Sequence, residues 1–284
     1  MGELLDHMLS PETLDLAWRR LRNDRTLWDI GIPRSAMEAH ALRHILELVE
    51  QVRSGEYRPA GLRRFTVRKP SGGQRVLSAL TLRDKLLQTS AMLVLSPRAE
   101  RIFHPDSFAY RPGRSVDMAF ARACERIHCN LDWLVDADIR SFFDEIPHDR
   151  LLPRLRKFVR DRQLMRLMER WLSVGYSQSS LFGRRRGIPQ GAVLSPLWCN
   201  LYLDELDRGW DRRNLPFVRY ADDFLLFAPE RKWAESALKW TEKQLGRLGL
   251  ELHPEKTRIT RTGPHVVFLG RNLPGHTRHA GKKG

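Results

Sequence analysis

The alternation of apolar and polar residues first predicts a helical segment at the N-terminus. Ser10-Pro11 has the composition of a helix start, with Ser as the N-cap and Pro in the first turn. Ser35 and Glu38 form a capping box, and apolar residues follow at helical spacing up to an end near Ser54-Gly55. We therefore expect residues 1–60 to form a helical N-terminal extension.

Residues 62–80 change to an extended pattern. Two runs rich in aromatic and β-branched residues surround Pro70-Ser71-Gly72-Gly73, which predicts a hairpin. Its alternating basic residues would hold a triphosphate or a nucleic-acid backbone, although a solvated basic hairpin fits the pattern equally well. Arg111 and Arg114 then lie in a tight turn, and Ser115 is placed to cap a helix whose N-terminus suits phosphate.

The pattern around two adjacent carboxylates is the most informative in the chain. The segment Phe217 to Phe227 predicts two short strands joined by a tight turn, with Asp222 and Asp223 at or beside its tip. Adjacent like charges on a structured turn cost stability unless a cation offsets them. The alternative interpretation is an ordinary exposed Asp-Asp turn.

A second acidic segment follows a short apolar strand predicted over residues 131–135. Asp138 is the better ligand candidate, because a pair of Phe residues follows it at fixed spacing, whereas Asp136 is interpreted as an exposed acid at the strand end. Three carboxylates from neighbouring elements favour hard divalent cations, typically Mg²⁺. Two such ions roughly 3.5–4 Å apart are the known apparatus of in-line phosphoryl transfer.

The remaining pattern alternates helices with a loop and a final strand. Residues 150–174 predict basic amphipathic helices, and a loop rich in Gly and Pro then carries Gln190. Ser195-Pro196 marks the next helix start. A helix over residues 231–248 and an apolar strand over residues 266–270 complete the pattern.

Composition adds a polyanionic partner to this picture. Lys and Arg number 49 against 34 Asp and Glu, which gives a net charge of +15 and indicates nucleic acid. An anionic membrane surface is the alternative, but the sequence has neither an apolar run of about 18 residues nor a secretory signal pattern. The three cysteines predict neither a disulfide framework nor a zinc site, so we expect a cytoplasmic protein with free thiols.

Taken in order, the motifs resemble those of reverse transcriptases, most of all the bacterial group II intron type. They cover residues 60–270, and although Tyr-x-Asp-Asp alone is a weak signal, the ordered series is a strong one. In chain order they are Lys69 to Arg75, Tyr110-Arg111-Pro112-Gly113-Arg114-Ser115, Asp138-Ile139-Arg140-Ser141-Phe142-Phe143-Asp144, Pro189-Gln190-Gly191 with Ser195-Pro196 and Asn200, Tyr220-Ala221-Asp222-Asp223, Gly249 to Lys256, and Phe268-Leu269-Gly270.

The resemblance implies an α+β right-hand polymerase, with fingers and a palm built on an antiparallel sheet. The fingers would span residues 61–130, and the palm 131–270 with a fingers insertion near 150–188. Residues 271–284 would be a short basic tail, so the helical thumb of related enzymes is expected to be absent and supplied by a partner protein or a fused domain. CRISPR-associated relatives of the intron type fit the series; the diversity-generating and retron subgroups fit it less well.

The resemblance also implies roles for the acidic motifs. Asp138, Asp222 and Asp223 match the family's metal-binding triad, which implies two Mg²⁺ ions with Mn²⁺ as a substitute. Phe143 matches the aromatic residue that lies under the deoxyribose and blocks a 2′-hydroxyl. Lys256 matches a catalytic residue near the leaving pyrophosphate.

Further residues match positions that bind the nucleotide and the nucleic acid. Lys69 and Arg75 match fingers residues that grip the incoming triphosphate, and Gln190 matches a residue near the nascent base pair. Phe268-Leu269-Gly270 looks like the family's primer grip. The implied partners are an RNA template, a DNA or RNA primer and deoxynucleotides, without a membrane.

The implied function is an RNA-directed DNA polymerase that extends a primer 3′-hydroxyl by two-metal phosphoryl transfer. One alternative is an RNA-dependent RNA polymerase of the same palm architecture, against which Phe143 argues. A second is a non-polymerising, RNA-binding maturase or scaffold. Such proteins often lose the carboxylates, whereas all three are present in this sequence.

Overall fold

The computed structural model describes residues 2–68, 74–174 and 185–275, with the backbone alone for residues 63, 64 and 74–78. None of its helices within these ranges is long and apolar enough to cross a membrane. The helices are α1 (Glu3–Met8), α2 (Pro11–Arg20), α3 (Arg34–Glu38), α4 (Ala41–Ser54), α5 (Leu82–Glu100), α6 (Val116–His128), α7 (Phe142–Glu145), α8 (His148–Phe158), α9 (Arg162–Val174), α10 (Ser195–Asp211) and α11 (Arg231–Leu248). The strands are β1 (Arg63–Arg68), β2 (Gln74–Ala79), β3 (Trp133–Asp138), β4 (Phe217–Tyr220), β5 (Asp223–Ala228), β6 (Arg258–Arg261), β7 (Val267–Phe268) and β8 (Arg271–Asn272).

The chain divides into two compact units, each built from two separate segments. Unit 1 comprises Met1–Arg101 and Ile146–Trp198, and unit 2 comprises Ile102–Glu145 and Cys199–Gly284. These cuts differ from the boundaries at residues 60 and 130 predicted for the extension and the fingers. The assignment of fingers and palm to particular residues stays a prediction.

Unit 1 is organised around helix α5, which is buried along most of its length and packs against α1 and α2. A polar network closes this core. The hydroxyl of Tyr57 donates to the Asp84 carboxylate at 2.5 Å, and Trp171 Nε1 donates to the Tyr57 oxygen at 3.0 Å. Burial raises the pKa of both Tyr57 and Asp84. The network therefore joins the N-terminal segment, α5 and α9.

The predicted hairpin is present in unit 1 as β1 and β2, paired antiparallel from Arg63 opposite Ala79 to Arg68 opposite Gln74. Phe65 and Val67 are 49% and 42% exposed, so the apolar side chains of β1 do not enter a core. The strands form because β-branched and aromatic residues favour an extended backbone, and not because one face is buried.

Unit 2 contains a four-stranded antiparallel sheet in the order β4-β5-β3-β6. Side chains alternate between the two faces of a strand, so the pairing register assigns each residue to a face. One face, named here the carboxylate face, carries Asp136, Asp138 and Asp223, because Asp138 pairs directly with Asp223. The opposite face carries Phe217 and Phe224.

Each face of this sheet is covered by helices. On the carboxylate face, α6 packs against the end of the sheet remote from the acids, where Ala119 and Ala123 contact a cluster that includes Leu134 and Leu225. On the opposite face, the Trp210 ring of α10 lies 4.9 Å from the rings of Phe217 and Phe224. Within unit 2, α6 therefore covers the part of the carboxylate face that is remote from the acids.

Several predicted elements are confirmed. Ser10 caps α2, with its side chain accepting from the Thr13 amide, and Ser115 caps α6 in the same way. Helix α4 ends at Gly55, whose φ of 79° places it in the left-handed region. Helices also form over the predicted residues 150–174 and 231–248.

The prediction of a capping box formed by Ser35 and Glu38 is wrong. Helix α3 begins at Arg34 after Pro33, without a side-chain cap, and the following apolar residues belong to the separate helix α4. The Glu38 carboxylate accepts from the side-chain Nε of Arg34 at 2.7 Å, and so pairs with a side chain and not with the backbone amide of a cap residue.

Two strand predictions are wrong in their bounds. Strand β3 runs on to Asp138 instead of ending at residue 135, because pairing with β5 and β6 on both sides extends it through the acids. The strand expected over residues 266–270 is only Val267–Phe268, since Leu269 and Gly270 both have positive φ and turn the chain into β8. Strand β6 (Arg258–Arg261) was not predicted from the sequence.

Candidate active site

The acidic residues meet where β3 and β5 pair. Asp138 ends β3 and Asp223 begins β5, and the two are direct partners in the antiparallel ladder. Asp222 lies in the turn between β4 and β5, where Ala221 has a φ of 61° and the Asp222 carbonyl accepts from the Ile139 amide at 3.2 Å. The predicted hairpin, with the two acids at or beside its tip, is therefore present.

The electrostatics of this cluster are dominated by uncompensated negative charge. Burial, followed by the charges of Asp136, Asp138 and Asp222, raises the pKa of the Asp223 carboxyl to about 7, against the opposing charge of Lys256. Each of these causes penalises the ionised form of Asp223. A divalent cation at this position would reverse the penalty.

Asp136 was expected to be an exposed acid at the strand end, and that expectation is wrong. Its side chain is only 13% exposed, in the interior of β3 and on the same face as Asp138. Arg258, its partner on β6, donates from Nε and Nη2 to the Asp136 carboxylate at 2.9 and 2.8 Å. Burial raises the pKa of Asp136 and the ion pair with Arg258 opposes that shift, while the charge of Asp136 in turn raises the pKa of Asp223.

Lys256 reaches the same cluster from the loop after α11. The Asp138 carbonyl accepts from the His253 amide at 2.8 Å, and the Lys256 amide donates to the His253 carbonyl, which fixes the loop against β3. The Lys256 ammonium donates to the Asp138 carboxylate and remains largely exposed. This hydrogen bond raises the pKa of Lys256, so Nζ carries its proton.

A buried ion pair behind the turn was missed by the sequence analysis. Arg219 and Asp207 are both fully buried, and Arg219 donates to the two carboxylate oxygens at 2.7 and 2.5 Å. Arg219 Nη1 also donates to Asn200 Oδ1 at 3.1 Å and to the Ala221 carbonyl at 3.0 Å. The pair therefore holds the backbone of the acidic turn. A single Arg within an otherwise apolar strand was the available signal.

The two Phe residues after Asp138 have different environments. Phe142 is 2% exposed and belongs to the core, whereas Phe143 is only partly buried, with its ring packed edge-on against Phe142 at 5.8 Å. Phe143 is therefore the ring that remains accessible. Gln190 is also partly buried, in the loop of unit 1 that precedes α10.

The two arginines of the basic turn also differ. Arg111 is 7% exposed and donates to the carbonyls of His104 and Ser107 at 2.6 and 2.5 Å, which is a structural role. Arg114 is more accessible, and its guanidinium lies 5.4 Å from the centre of the Phe108 ring. Of the two, Arg114 is the better placed to contact a phosphate.

The predicted primer grip is a tight hairpin and not a strand. Phe268 is buried in the core cluster, while Leu269 and Gly270 form the turn with φ values of 53° and 80°. Two consecutive positive φ angles are typical of the turns that connect two-residue hairpins. The hairpin thus presents its backbone at the surface and anchors it through Phe268.

Lys69 and Arg75 are the two residues expected to bind the triphosphate. Lys69 lies outside the described residues. Arg75 is described by its backbone alone, in β2 opposite Val67. Their grip on a nucleotide stays a prediction.

The donor set suits hard divalent cations. Within residues 2–68, 74–174 and 185–275, no three His, Cys, Asp or Glu side chains converge closely enough to hold an ion in this conformation. Lys256 contacts the Asp138 carboxylate here, so a cation already shares the charge of the cluster. Carboxylate oxygens with an excess of negative charge are the ligands that Mg²⁺ and Mn²⁺ prefer.

Comparison with known proteins identifies the family. The sequence profile described as "Reverse transcriptase (RNA-dependent DNA polymerase)" matches residues 67–273, which include the whole acidic site. The chain belongs to the reverse transcriptase family. The resemblance inferred from the ordered motifs is thereby confirmed.

Named relatives place this reverse transcriptase near the intron-encoded type. It is 27% identical over 283 residues to Protein YkfC of Escherichia coli, covering 86% of this chain and 74% of YkfC. It is 25% identical over 340 residues to the group II intron-encoded protein LtrA of Lactococcus lactis, covering 95% of this chain and 56% of LtrA. The chain thus spans about half of LtrA.

Solved structures share its fold. A telomerase of Candida albicans matches 86% of this reverse transcriptase and 49% of its own chain, with a TM-score of 0.59 and 13% identity. A chain of a Cas6-RT-Cas1--Cas2 complex matches 87% of this chain and 43% of its own, with a TM-score of 0.50 and 22% identity. The predicted α+β right-hand polymerase fold is confirmed.

Proposed function

We propose that this protein extends a primer 3′-hydroxyl with deoxynucleotides on an RNA template. The observation that supports it best is the cluster of Asp136, Asp138, Asp222 and Asp223, in which burial and then the charges of the other three carboxylates raise the pKa of Asp223 to about 7. A buried group of like charges costs stability and is found where a cationic ligand binds. Membership of the reverse transcriptase family supports a divalent metal ion as that ligand.

Asp138, Asp222 and Asp223 would hold two Mg²⁺ ions, or Mn²⁺ in their place. Such ions, when bound, offset charge on the phosphates and lower the pKa of the attacking hydroxyl. Asp136 is paired with Arg258, and its charge still acts on Asp223 from within the strand. Its contribution is to keep the potential negative where the cations bind.

The protein's own cations and rings would position the nucleotide. Lys256, protonated at Nζ and exposed, can leave Asp138 and donate its proton to the departing pyrophosphate. The accessible ring of Phe143 would pack under the sugar and exclude a 2′-hydroxyl. Lys69 and Arg75 would bind the triphosphate, and Gln190 would contact the nascent base pair. Catalysis would then rest on positioning and electrostatic stabilisation.

The nucleic acid would be held by basic and hairpin surfaces. The turn of Leu269 and Gly270 would support the primer end, and Arg114 would contact a backbone phosphate. In this proposal unit 1 contains the fingers and unit 2 the palm. A partner protein or fused domain would add to this hold on the nucleic acid, an idea supported by the fused Cas6-RT-Cas1 name of one structural relative.

Two other activities fit the fold. An RNA-dependent RNA polymerase would incorporate ribonucleotides, which the accessible Phe143 ring argues against. A non-polymerising maturase or scaffold would need no acidic cluster, and would not retain four carboxylates at a stability cost. Primer extension with deoxynucleotides or ribonucleotides, on RNA and on DNA templates, separates these activities.

The deciding experiment replaces Asp222 by Asn, which removes the charge and keeps the shape. We expect primer extension in Mg²⁺ to fall by about 10³-fold, since metal-borne charge stabilisation is worth several kcal/mol. Template–primer binding should stay within about twofold, because base pairing and phosphate contacts do not use this carboxylate. Asp15→Asn, an exposed acid on α2, is the matched control. Full extension by Asp222→Asn would refute the metal site.

A further inference from the structure

A groove lies on the face of the sheet opposite the carboxylates. The register separates the two faces, because Phe224 is the neighbour of Asp223 in β5 and points the other way. Trp210 packs on Phe224, and its Nε1 donates to Thr241 Oγ1 at 2.9 Å. Helices α10 and α11 therefore both lie on the opposite face. The groove forms between the end of α10 and α11.

One half of the groove is strongly basic. A cavity of about 590 Å³ opens there, and none of its lining side chains is acidic. Arg212 and Arg213 form no ion pair with any carboxylate in the part of the chain that the structure describes. The lining residues are Gly209, Arg212, Arg213, Asn214, Trp240, Gln244 and Arg247.

The other half is apolar and aromatic. A second cavity of about 350 Å³ shares Arg213, Asn214 and Trp240 with the first, so the two adjoin. Trp233 lines its far side and is 55% exposed, which is unusual for so large an apolar side chain. Leu215 and Pro216 form part of its floor.

The aromatic and basic side chains follow one stripe of α11. Trp233, Trp240 and Arg247 are seven residues apart, a spacing that returns to the same side of a helix. The Arg213 guanidinium lies 4.8 Å from the centre of the Trp240 ring. Gly209 makes room for this ring, since a Cβ at that position would come within 2.5 Å of it. The Trp240 ring is therefore held in place by Arg213 and by its close packing against Gly209.

We infer that this groove binds single-stranded nucleic acid, at a site separate from the template–primer site. Stacking platforms beside a cationic track are the general means of holding single strands without sequence preference. The arginines would contact phosphates, and Trp233 and Trp240 would stack on bases. Each cavity is within the range of small-ligand sites, which gives room for about one nucleotide in each.

An acidic protein segment is the competing occupant. It would satisfy the arginines, but the open aromatic half of the groove offers it no charge complementarity. A single strand presents phosphates and flat bases alternately, and so matches both halves. A duplex hides its bases, so it would leave the aromatic half without a partner.

The test measures binding of a short fluorescein-labelled single-stranded RNA by fluorescence anisotropy. Excess unlabelled template–primer duplex is present to occupy the catalytic site. We expect Trp240→Ala to weaken binding about tenfold through lost stacking. Arg213→Gln should lower the slope of log affinity against log salt by about 0.7, the value for one phosphate contact. Extension of a pre-annealed primer should be unchanged in both variants.

Lys239→Ala is the control, because it removes an exposed charge from α11 outside the groove. Thermal unfolding of each variant separates lost binding from lost structure, and Arg213→Gln keeps the test valid if Trp240→Ala unfolds. Equal binding by groove variants and wild type would overturn the proposal, as would an equal loss in Lys239→Ala. Displacement of the RNA by a Glu-rich peptide, with the same dependence on Trp240, would identify a protein partner instead. Because binding is read without extension, its failure is distinct from failure of the polymerase proposal.

Discussion

The buried pair of Arg219 and Asp207 offers a sharp test of how the acidic turn is held. Replacing Arg219 by Met keeps much of the side-chain length and removes all four of its hydrogen bonds. Two of these go to the fully buried Asp207 carboxylate, one to Asn200 and one to the Ala221 carbonyl. The variant therefore leaves a buried charge and a buried carbonyl without their donors.

The expected loss is large. Breaking a buried ion pair by removing one partner costs about 3–5 kcal/mol, mainly because the remaining charge is unpaired. For a unit of this size that corresponds to a fall of about 6–20 °C in the unfolding midpoint. Arg231→Met is the control, since Arg231 forms an exposed pair with Glu235 that is worth at most about 1 kcal/mol.

A double variant separates folding from function. Adding Asp207→Leu to Arg219→Met removes the orphaned charge, so most of the lost stability should return. Primer extension should stay low, because the Ala221 carbonyl and Asn200 still lack the guanidinium that fixes the turn. Thermal unfolding and single-nucleotide extension are the measurements. A loss below about 1 kcal/mol in Arg219→Met, or full extension by the double variant, would refute the reasoning.

Three further changes test other parts of the molecule. Phe143→Ala should lower the preference for deoxynucleotides over ribonucleotides by at least about tenfold, and an unchanged ratio would make Phe143 a packing residue only. Burial lowers the pKa of His148 from its usual 6.5, so stability should be fully present above about pH 6.5 and decline as pH falls. His148→Gln lacks the titrating imidazole, so its free energy of unfolding, measured between pH 5 and 8, should decline less than that of the wild type. Parallel curves for the two proteins would contradict this role of His148. Gly209→Ala should displace the Trp240 ring and cost about 1–3 kcal/mol, seen as a changed tryptophan emission spectrum and a lower unfolding midpoint.

Local patterns predicted the acidic hairpin well, because its strands are short and its turn is sequential. The runs on either side of Asp222 and Asp223 are apolar enough to form strands, and both strands are buried as expected. The series of motifs then predicted the family without any information on packing. These features depend on neighbours in sequence, which a pattern can report.

What escaped prediction depends on pairing between distant segments. The predicted strand end at residue 135 was based on apolar content alone. In the structure, β3 continues to Asp138, because it pairs with β6 up to Asp136 and with β5 up to Asp138. The alternation of acids two residues apart would have placed both on one face. Asp207 gave no sign of its partner, since the pairing with Arg219 exists only once α10 lies on the sheet.

The alternation of side chains between the two faces of β3 has a consequence for interpreting gene sequences. One inserted residue between Trp133 and Asp138 would shift the register and move a carboxylate to the face covered by α10. A gene with such an insertion would keep every motif in order, yet its carboxylates would no longer share one face of the sheet. Surveys that count motifs would score that gene as intact. The number of residues between the β3 acids and the strand start is therefore a better criterion for separating working copies from decayed ones.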